Sequence, residues 1–226
     1  MSAKQVVHET EQNDALRTVS GFWQRNQKAI ISIAAAIVIL VTGWVLYQEW
    51  VVKPKEEKAQ EAIFKAQQYF AQDSFRLAYE GNTYFKGFKY IANNYSGTKP
   101  GDLAGYYAGV CCLHLGDFNN AVKYLKDFDT DAKQIQMMAY GALGDAYSEQ
   151  NKKQEAVDAY KKAASTFKED DFNSSEYLFR AALLNETMGK TSEAVALYKE
   201  LKDKFPKTDK GFQADKYIYR LSLEKE

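Results

Sequence analysis

Only three prolines punctuate the 226 residues, and histidine is confined to His8 and His114. So little proline leaves room for long uninterrupted helices. Two histidines so far apart cannot form a local metal-binding pair. Cysteine is almost as scarce: Cys111 and Cys112 are neighbours. A vicinal disulfide is strained and a lone pair lacks zinc-ligand spacing, so both read as small apolar residues inside a helix. No charge of either sign is in excess, with 30 basic and 30 acidic residues, which excludes the polycation that nucleic-acid binding uses. HExxH, GxSxG, a phosphate-cradling glycine loop and Cys/His clusters are all missing. The chain is therefore expected not to be an enzyme, and no cofactor, metal or small-molecule substrate is implied. His114 alone reads as an ordinary surface or groove residue.

Aromatics, by contrast, are plentiful, with 16 Tyr and 13 Phe. Helix arrays packed through aromatic knobs have this composition, and disordered chains do not. A phrase recurs three times: GDFNNAVKYL at 116–125, NKKQEAVDAY at 151–160 and GKTSEAVALY at 189–198. Its alanines, Ala121, Ala156 and Ala194, stand 35 and 38 residues apart. That period marks a solenoid of helix pairs, in which each repeat buries its apolar face on the next.

Ahead of the repeats, no residue from Ala29 to Gln48 is charged. The stretch AIISIAAAIVILVTGWVLY would rise about 28 Å as a helix, close to a bilayer core. Trp44, Tyr47 and Trp50 fit an interfacial aromatic belt at one end, with Arg25 and Lys28 at the other. The run exceeds a signal-peptide core and no small-x-small site follows it. The expected domains are a cytoplasmic tail over 1–28, a transmembrane signal-anchor helix over 29–48 and an extracytoplasmic domain over 49–226. Flanking lysines and arginines nearly balance, so the orientation rests mainly on the length of the second domain.

Pro54 opens a helix expected to run to about Ala71. Asp73–Asn82 reads as a loop or irregular insert, and Thr83 to about Asn94 as a helix closed by Gly97 and Pro100. The second pair is expected from an Asp102 N-cap through Leu115, then Phe118 to about Phe128. The third is Lys133–Gln150 and Gln154–Phe167; the fourth is Ser175–Met188 and Ser192–Phe205. Glu169, Asp170 and Asp171 read as a solvated linker, without the alternating ligands of a calcium loop. A last helix at 209–223 should cap the array. The fold class is all-α: a transmembrane helix, then about four helix pairs, the first degenerate, with a C-terminal cap.

Tyr140, Leu143, Gly144, Tyr147, Ala156, Tyr160 and Ala163 resemble the tetratricopeptide pattern, as do Gly109, Gly116, Ala121 and Leu125, and Gly189, Ala194, Tyr198 and Pro206. Residues 100–208 are covered well and 56–100 loosely. Asn151 stands where that pattern has a turn glycine, which its tolerance of positive φ permits. With tail, span, repeats and closing helix in this order, the chain resembles the YfgM-type family of bacterial inner-membrane proteins. FKAQQYFAQDSFRLAYEGN and GTKPGDLAGYYAGVCCLHLGDFNNAVKYLKDF are similar to members from Bacteroidetes-like bacteria. The resemblance implies an inner-membrane protein with a periplasmic domain. Its implied partners are the SecYEG translocon, a PpiD-like periplasmic chaperone and secretory client segments. The alternative is an envelope or cell-division scaffold that touches no client. In a bacterial protein the Asn-x-Ser/Thr matches at Asn94, Asn173 and Asn185 are coincidental.

The tetratricopeptide resemblance also implies that the first helix of each pair lines a concave face. Its phase selects Leu103, Tyr106, Val110, Leu113 and His114 from the second pair. It selects Met138, Gly141, Asp145 and Ser148 from the third, and Glu176, Phe179, Leu183 and Glu186 from the fourth. This set is mostly apolar, with a few acids. The Lys/Asn/Arg clamp that grips acidic C-terminal peptides is missing, so an apolar, extended or helical protein segment is the expected ligand.

Overall fold

The computed structural model describes the backbone of residues 3–223 and the side chains of residues 25–223. The expected 1–24 part of the tail lies outside the described side chains. The chain divides into two compact units, residues 1–54 and 55–226. The first is α1 (Ala3–Tyr47) followed by a π-helical turn, Gln48–Val52. Ile31, Ile37, Leu40, Val41 and Trp44 are all exposed along α1. The helix is long and apolar enough to cross a membrane, and its uncharged stretch from Ala29 to Tyr47 is apolar all round, as a lipid-facing segment is.

The ordered elements of the second unit, among the described residues, are helices with one isolated bridge: α2 (Lys53–Phe70, whose first two residues lie in the first unit), α3 (Phe75–Glu80), α4 (Phe88–Asn94), α5 (Lys99–His114), α6 (Phe118–Lys126), α7 (Lys133–Glu149), α8 (Lys153–Thr166), α9 (Asp171–Thr187), α10 (Thr191–Lys204) and α11 (Asp209–Leu223). From α4 onward each helix packs on the next, and α5 also meets α7, as α9 meets α11. This nearest-neighbour stacking is what a helix-pair solenoid requires. Ala121, Ala156 and Ala194 are fully buried. Small residues at these crossings let the helix axes approach closely.

Turn chemistry separates the pairs. Gly116 and Gly189 have φ of 77° and 71° after the first helices of two pairs. Asn151 holds the corresponding place at φ 58°, as its amide side chain permits. Thr98 accepts from the Gly101 N–H at 3.2 Å and donates to the Tyr95 carbonyl at 2.7 Å. Thr208 does the same between Gly211 and Phe205, at 3.1 and 2.9 Å.

Several boundaries differ from expectation. The N-cap of α5 is Thr98, not Asp102, which instead accepts from the Gly97 N–H at 3.1 Å. Thr98 wins because Pro100 suits the first turn of a helix that starts at Lys99. Asp170 is not linker: it caps α9 by accepting from the Asn173 N–H at 3.0 Å, so α9 starts at Asp171, four residues before Ser175. Residues 83–87 are not helical. The insert contains α3, then a tight loop closed by an antiparallel bridge between Gly81 and Lys86. Asn82 orders that loop by accepting from the N–H groups of Tyr84 and Phe85. Phe85 stacks on Tyr69 at 4.8 Å, and Tyr84 is left exposed at the tip.

Two core clusters fill the unit. One gathers Ile63, Phe88, Ile91, Cys111 and Leu125, and the other Tyr160, Leu178, Tyr198, Leu201 and Leu221. Tyr147 packs against both. Cys111 and Cys112 are free thiols buried in the first.

Candidate functional site

Where α7, α9 and α11 exchange side-chain contacts, glycines of α7 set the packing. On α7, a Cβ at Gly141 would fall 2.3 Å from the Tyr177 ring of α9, and one at Gly144 would fall 2.5 Å from the Tyr160 ring of α8. Two glycines one turn apart therefore admit two tyrosine rings, which lie nearly parallel with centroids 6.3 Å apart.

A polar chain runs across those rings. Tyr160 donates its hydroxyl to Asp145 at 2.5 Å, and Arg180 reaches the same carboxylate at 2.8 Å. The Arg180 guanidinium lies 6.0 Å from the centroids of both Tyr160 and Tyr177, a cation–π arrangement. Its Nε also bonds Glu176 at 3.0 Å, and Lys210 of α11 approaches Glu176 at 3.3 Å. Lys210 also stands 4.3 Å over the Phe179 ring. Further along, Glu186 takes Arg220 at 2.7 Å and the Tyr198 hydroxyl at 3.2 Å.

Burial pushes the Glu176 carboxyl up, but the Arg180 hydrogen bond and the Lys210 charge outweigh it and hold it below the usual carboxylate range. Burial, reinforced by the Asp145 charge, pushes the Tyr160 hydroxyl well up, so it stays a protonated donor. Burial opposes the Arg180 charge, yet Glu176 and Asp145 raise its pKa further. The acids of this face are thus neutralised within the fold.

The expected lining residues separate into four groups, the last of them buried. Met138, His114 and Leu183 are exposed. Leu103, Val110 and Leu113 are half-buried against the first core cluster. Asp145, Ser148, Glu176 and Glu186 are half-buried too, and three of them belong to the ion pairs.

The other placements correct expectation. Tyr106 is 8% exposed and packs beside Phe128, with burial pushing its hydroxyl up to about 12. Phe179 is 8% exposed and wedged against Tyr198 and Tyr217. Both are core side chains, because Phe128, just after α6, and Tyr217 of the cap close over positions that helical phase alone assigns to the open face. Gly141 is likewise buried, under Tyr177. His114 does not stand free: its ring lies parallel to Phe75 of the insert at 3.9 Å.

Phase alone missed Arg180, Lys210, Tyr160 and Tyr177. A signal for two of them was available, since Arg180 follows Asp145 by 35 residues and Lys210 follows Glu176 by 34. Opposite charges one repeat apart are what neighbouring first helices would pair. Between α8, α9 and α10 lies a cleft of about 800 Å3 over Leu178 and Phe205. Lys161, Lys162, Lys168 and Lys204 line it together with Asp158, Asp171 and Glu200, so charges of both signs are mixed there. Among the described residues no group of three or more His, Cys, Asp or Glu could hold a metal ion.

Tetratricopeptide repeat family models match residues 139–169 and 176–208. These spans are the third and fourth helix pairs; α5 and α6 lie outside both. No curated protein and no solved structure matches the chain. The two repeats support a tetratricopeptide-repeat protein, a class whose domains generally mediate protein–protein interactions.

Proposed function

We propose that this chain is a membrane-anchored protein-binding subunit whose first-helix face holds an apolar segment of another protein, and that it assists secretory proteins at or after the Sec translocon. One observation carries the reading of the ligand. Met138 is 43% exposed and Leu183 39%, while the neighbouring charges are spent on each other in the Asp145–Arg180 and Glu176–Lys210 pairs. A face with accessible apolar side chains and satisfied ions rewards burial of apolar surface more than charge matching. The apolar stretch of α1 supports a tether to a membrane. The secretory role and the SecYEG and PpiD-like partners rest on the resemblance to the YfgM-type family, as does the placement of the tail in the cytoplasm and the domain in the periplasm. No catalytic role is proposed.

A photo-crosslinking residue at position 138 or 183 in the full chain tests this reading. Nascent secretory chains and translocon subunits should be recovered from both positions. Recovery of one stoichiometric partner without nascent chains would replace it with the scaffold reading. Cysteine labelling from each side of the membrane, at a tail position and at an exposed domain position, tests the topology.

A further inference from the structure

The terminal helix has a second face. α11 buries Gly211, Ala214 and Leu221 toward the solenoid, with Tyr217 and Ile218 half-buried beside them. Lys202 bonds Asp215 at 2.8 Å on one flank, and Arg220 reaches Glu186 on the other. These ties hold the helix in a fixed rotation. At 100° per residue, Phe212, Lys216, Tyr219 and Leu223 then fall within roughly 60° of one another on the outer side. Phe212 is 83% exposed, Tyr219 68% and Leu223 53%. A helix that merely ends a solenoid carries a polar outer face. Three large apolar side chains in one stripe mark an interaction surface instead.

The stripe is its own complement. Its positions are spaced four, three and four, so the order reads the same from either end. Two copies packed antiparallel about a two-fold axis would set Phe212 of each against Leu223 of the other. The same register sets Lys216 against Tyr219, an ammonium over an aromatic ring. Parallel packing would instead oppose Lys216 to Lys216 across the axis, a like-charge contact that disfavours that arrangement. The charge pattern therefore selects the antiparallel arrangement, and an isologous contact of this kind closes on itself as a dimer.

We propose that α11 is a homodimer contact, in which the Phe212–Lys216–Tyr219–Leu223 stripe of one copy docks antiparallel on the same stripe of a second copy. This goes beyond the first-helix face and does not depend on what that face holds. One helix from each copy makes a small interface, at the low end of specific association, so the dimer fraction should rise with protein concentration.

The register gives a direct test in the full chain in mild detergent. Differently tagged F212C and L223C chains are mixed and gently oxidised; the native Cys111 and Cys112 are at most 1% exposed and stay out of the reaction. A disulfide-linked product carrying both tags is expected in the mixture, with only background linkage in either variant alone. Y219K, which opposes two lysines twice over, should weaken self-association on the order of tenfold. Mixing Y219K with K216E should restore association as a heterodimer. The proposal is overturned if the single variants link as readily as the mixture, or if no mixed product forms while circular dichroism shows helix content intact. A dimer that persists without the mixed product would be held by another surface, and would overturn it too.

Discussion

Arg180 of α9 lies 2.8 Å from Asp145 of α7, 35 residues earlier and one repeat away. The relationship recurs toward the cap: Lys210 sits 3.3 Å from Glu176 and Arg220 sits 2.7 Å from Glu186. In each case the base comes from the later helix and the acid from the earlier. Tyrosines of the second helices complete two of these links, Tyr160 to Asp145 and Tyr198 to Glu186. The first helices are thus joined by polar contacts laid over aromatic packing, which fixes their register as well as their spacing.

A double-mutant cycle over Asp145→Asn and Arg180→Gln should show coupling. Exposed ion pairs contribute about 0–1 kcal/mol, and this pair is only part-buried, with side chains 34% and 40% exposed. Because Arg180 also serves Glu176 and two rings, the coupling should reach the top of that range, about 1 kcal/mol. Urea unfolding of the four proteins measures it. Additive effects would show that the link carries no energy.

Glycines on α5 and α7 should respond in opposite directions. Gly144→Ala forces the Tyr160 ring away and should cost about 1–3 kcal/mol, as overpacking of a filled core does. Gly105 lies within α5 with nothing near its missing Cβ, so Gly105→Ala should stabilise by up to about 1 kcal/mol through helix propensity. Thermal melts of the two variants should shift to opposite sides of the parent; shifts in the same direction would contradict the close approach at Gly144.

The third and fourth pairs were legible because alanine, glycine and asparagine stand where geometry needs small side chains or positive φ. Asn151 and Gly189 mark their turns without reference to anything distant. Thr98 and Asp170 were harder to place. Asp102 is an equally good local N-cap, and what decides for Thr98 is where Pro100 puts the first turn; Asp170 is identified only by the bond it accepts from the Asn173 N–H. Tyr106 and Phe179 show the deeper difficulty. Helical phase assigns them to the same stripe as Met138 and Leu183, and only the closure of neighbouring helices separates core from face. The insert before α4 was opaque because its order comes from Asn82 and from Phe85 stacking on Tyr69, neither of which has a repeat period.

Acid should loosen the junction between α9 and α11. The Glu176 carboxyl titrates below its ordinary value of 4.5. A depressed folded pKa means that the ionised form favours the fold. That contribution is complete above the unfolded value and is lost as pH falls through the folded one. Hydrogen-exchange protection factors of α11 amides, with intrinsic rates divided out, should therefore fall below about pH 4.5 in the parent, and much less so in Glu176→Gln. An equal fall in both proteins would assign the acid response to other carboxylates.

The two thiols should be inert while the chain is folded. Burial, with the neighbouring Cys112, pushes the Cys111 thiol up to about 12, and burial also raises Cys112. A maleimide should label neither at neutral pH until denaturant is added, when both react. Rapid labelling of the native chain would mean that α5 opens away from α6.

Variants on the first-helix face should separate binding from folding. Met138→Asp and Leu183→Asp place charges on exposed positions, so the melting temperature should move little while association with an apolar client segment falls. Opposed to them is Phe179→Ala, which empties a site between Tyr198 and Tyr217 and should cost about 3–5 kcal/mol of stability. A fluorescent apolar peptide titrated against the full chain, beside thermal melts of the same samples, distinguishes the outcomes. Affinity should drop roughly tenfold in the Met138→Asp, Leu183→Asp double variant, since losing two apolar contacts amounts to about 1–3 kcal/mol. If affinity holds in that variant while its helices stay intact, the bound segment lies elsewhere, and the α8–α10 cleft over Leu178 and Phe205 becomes the surface to probe next.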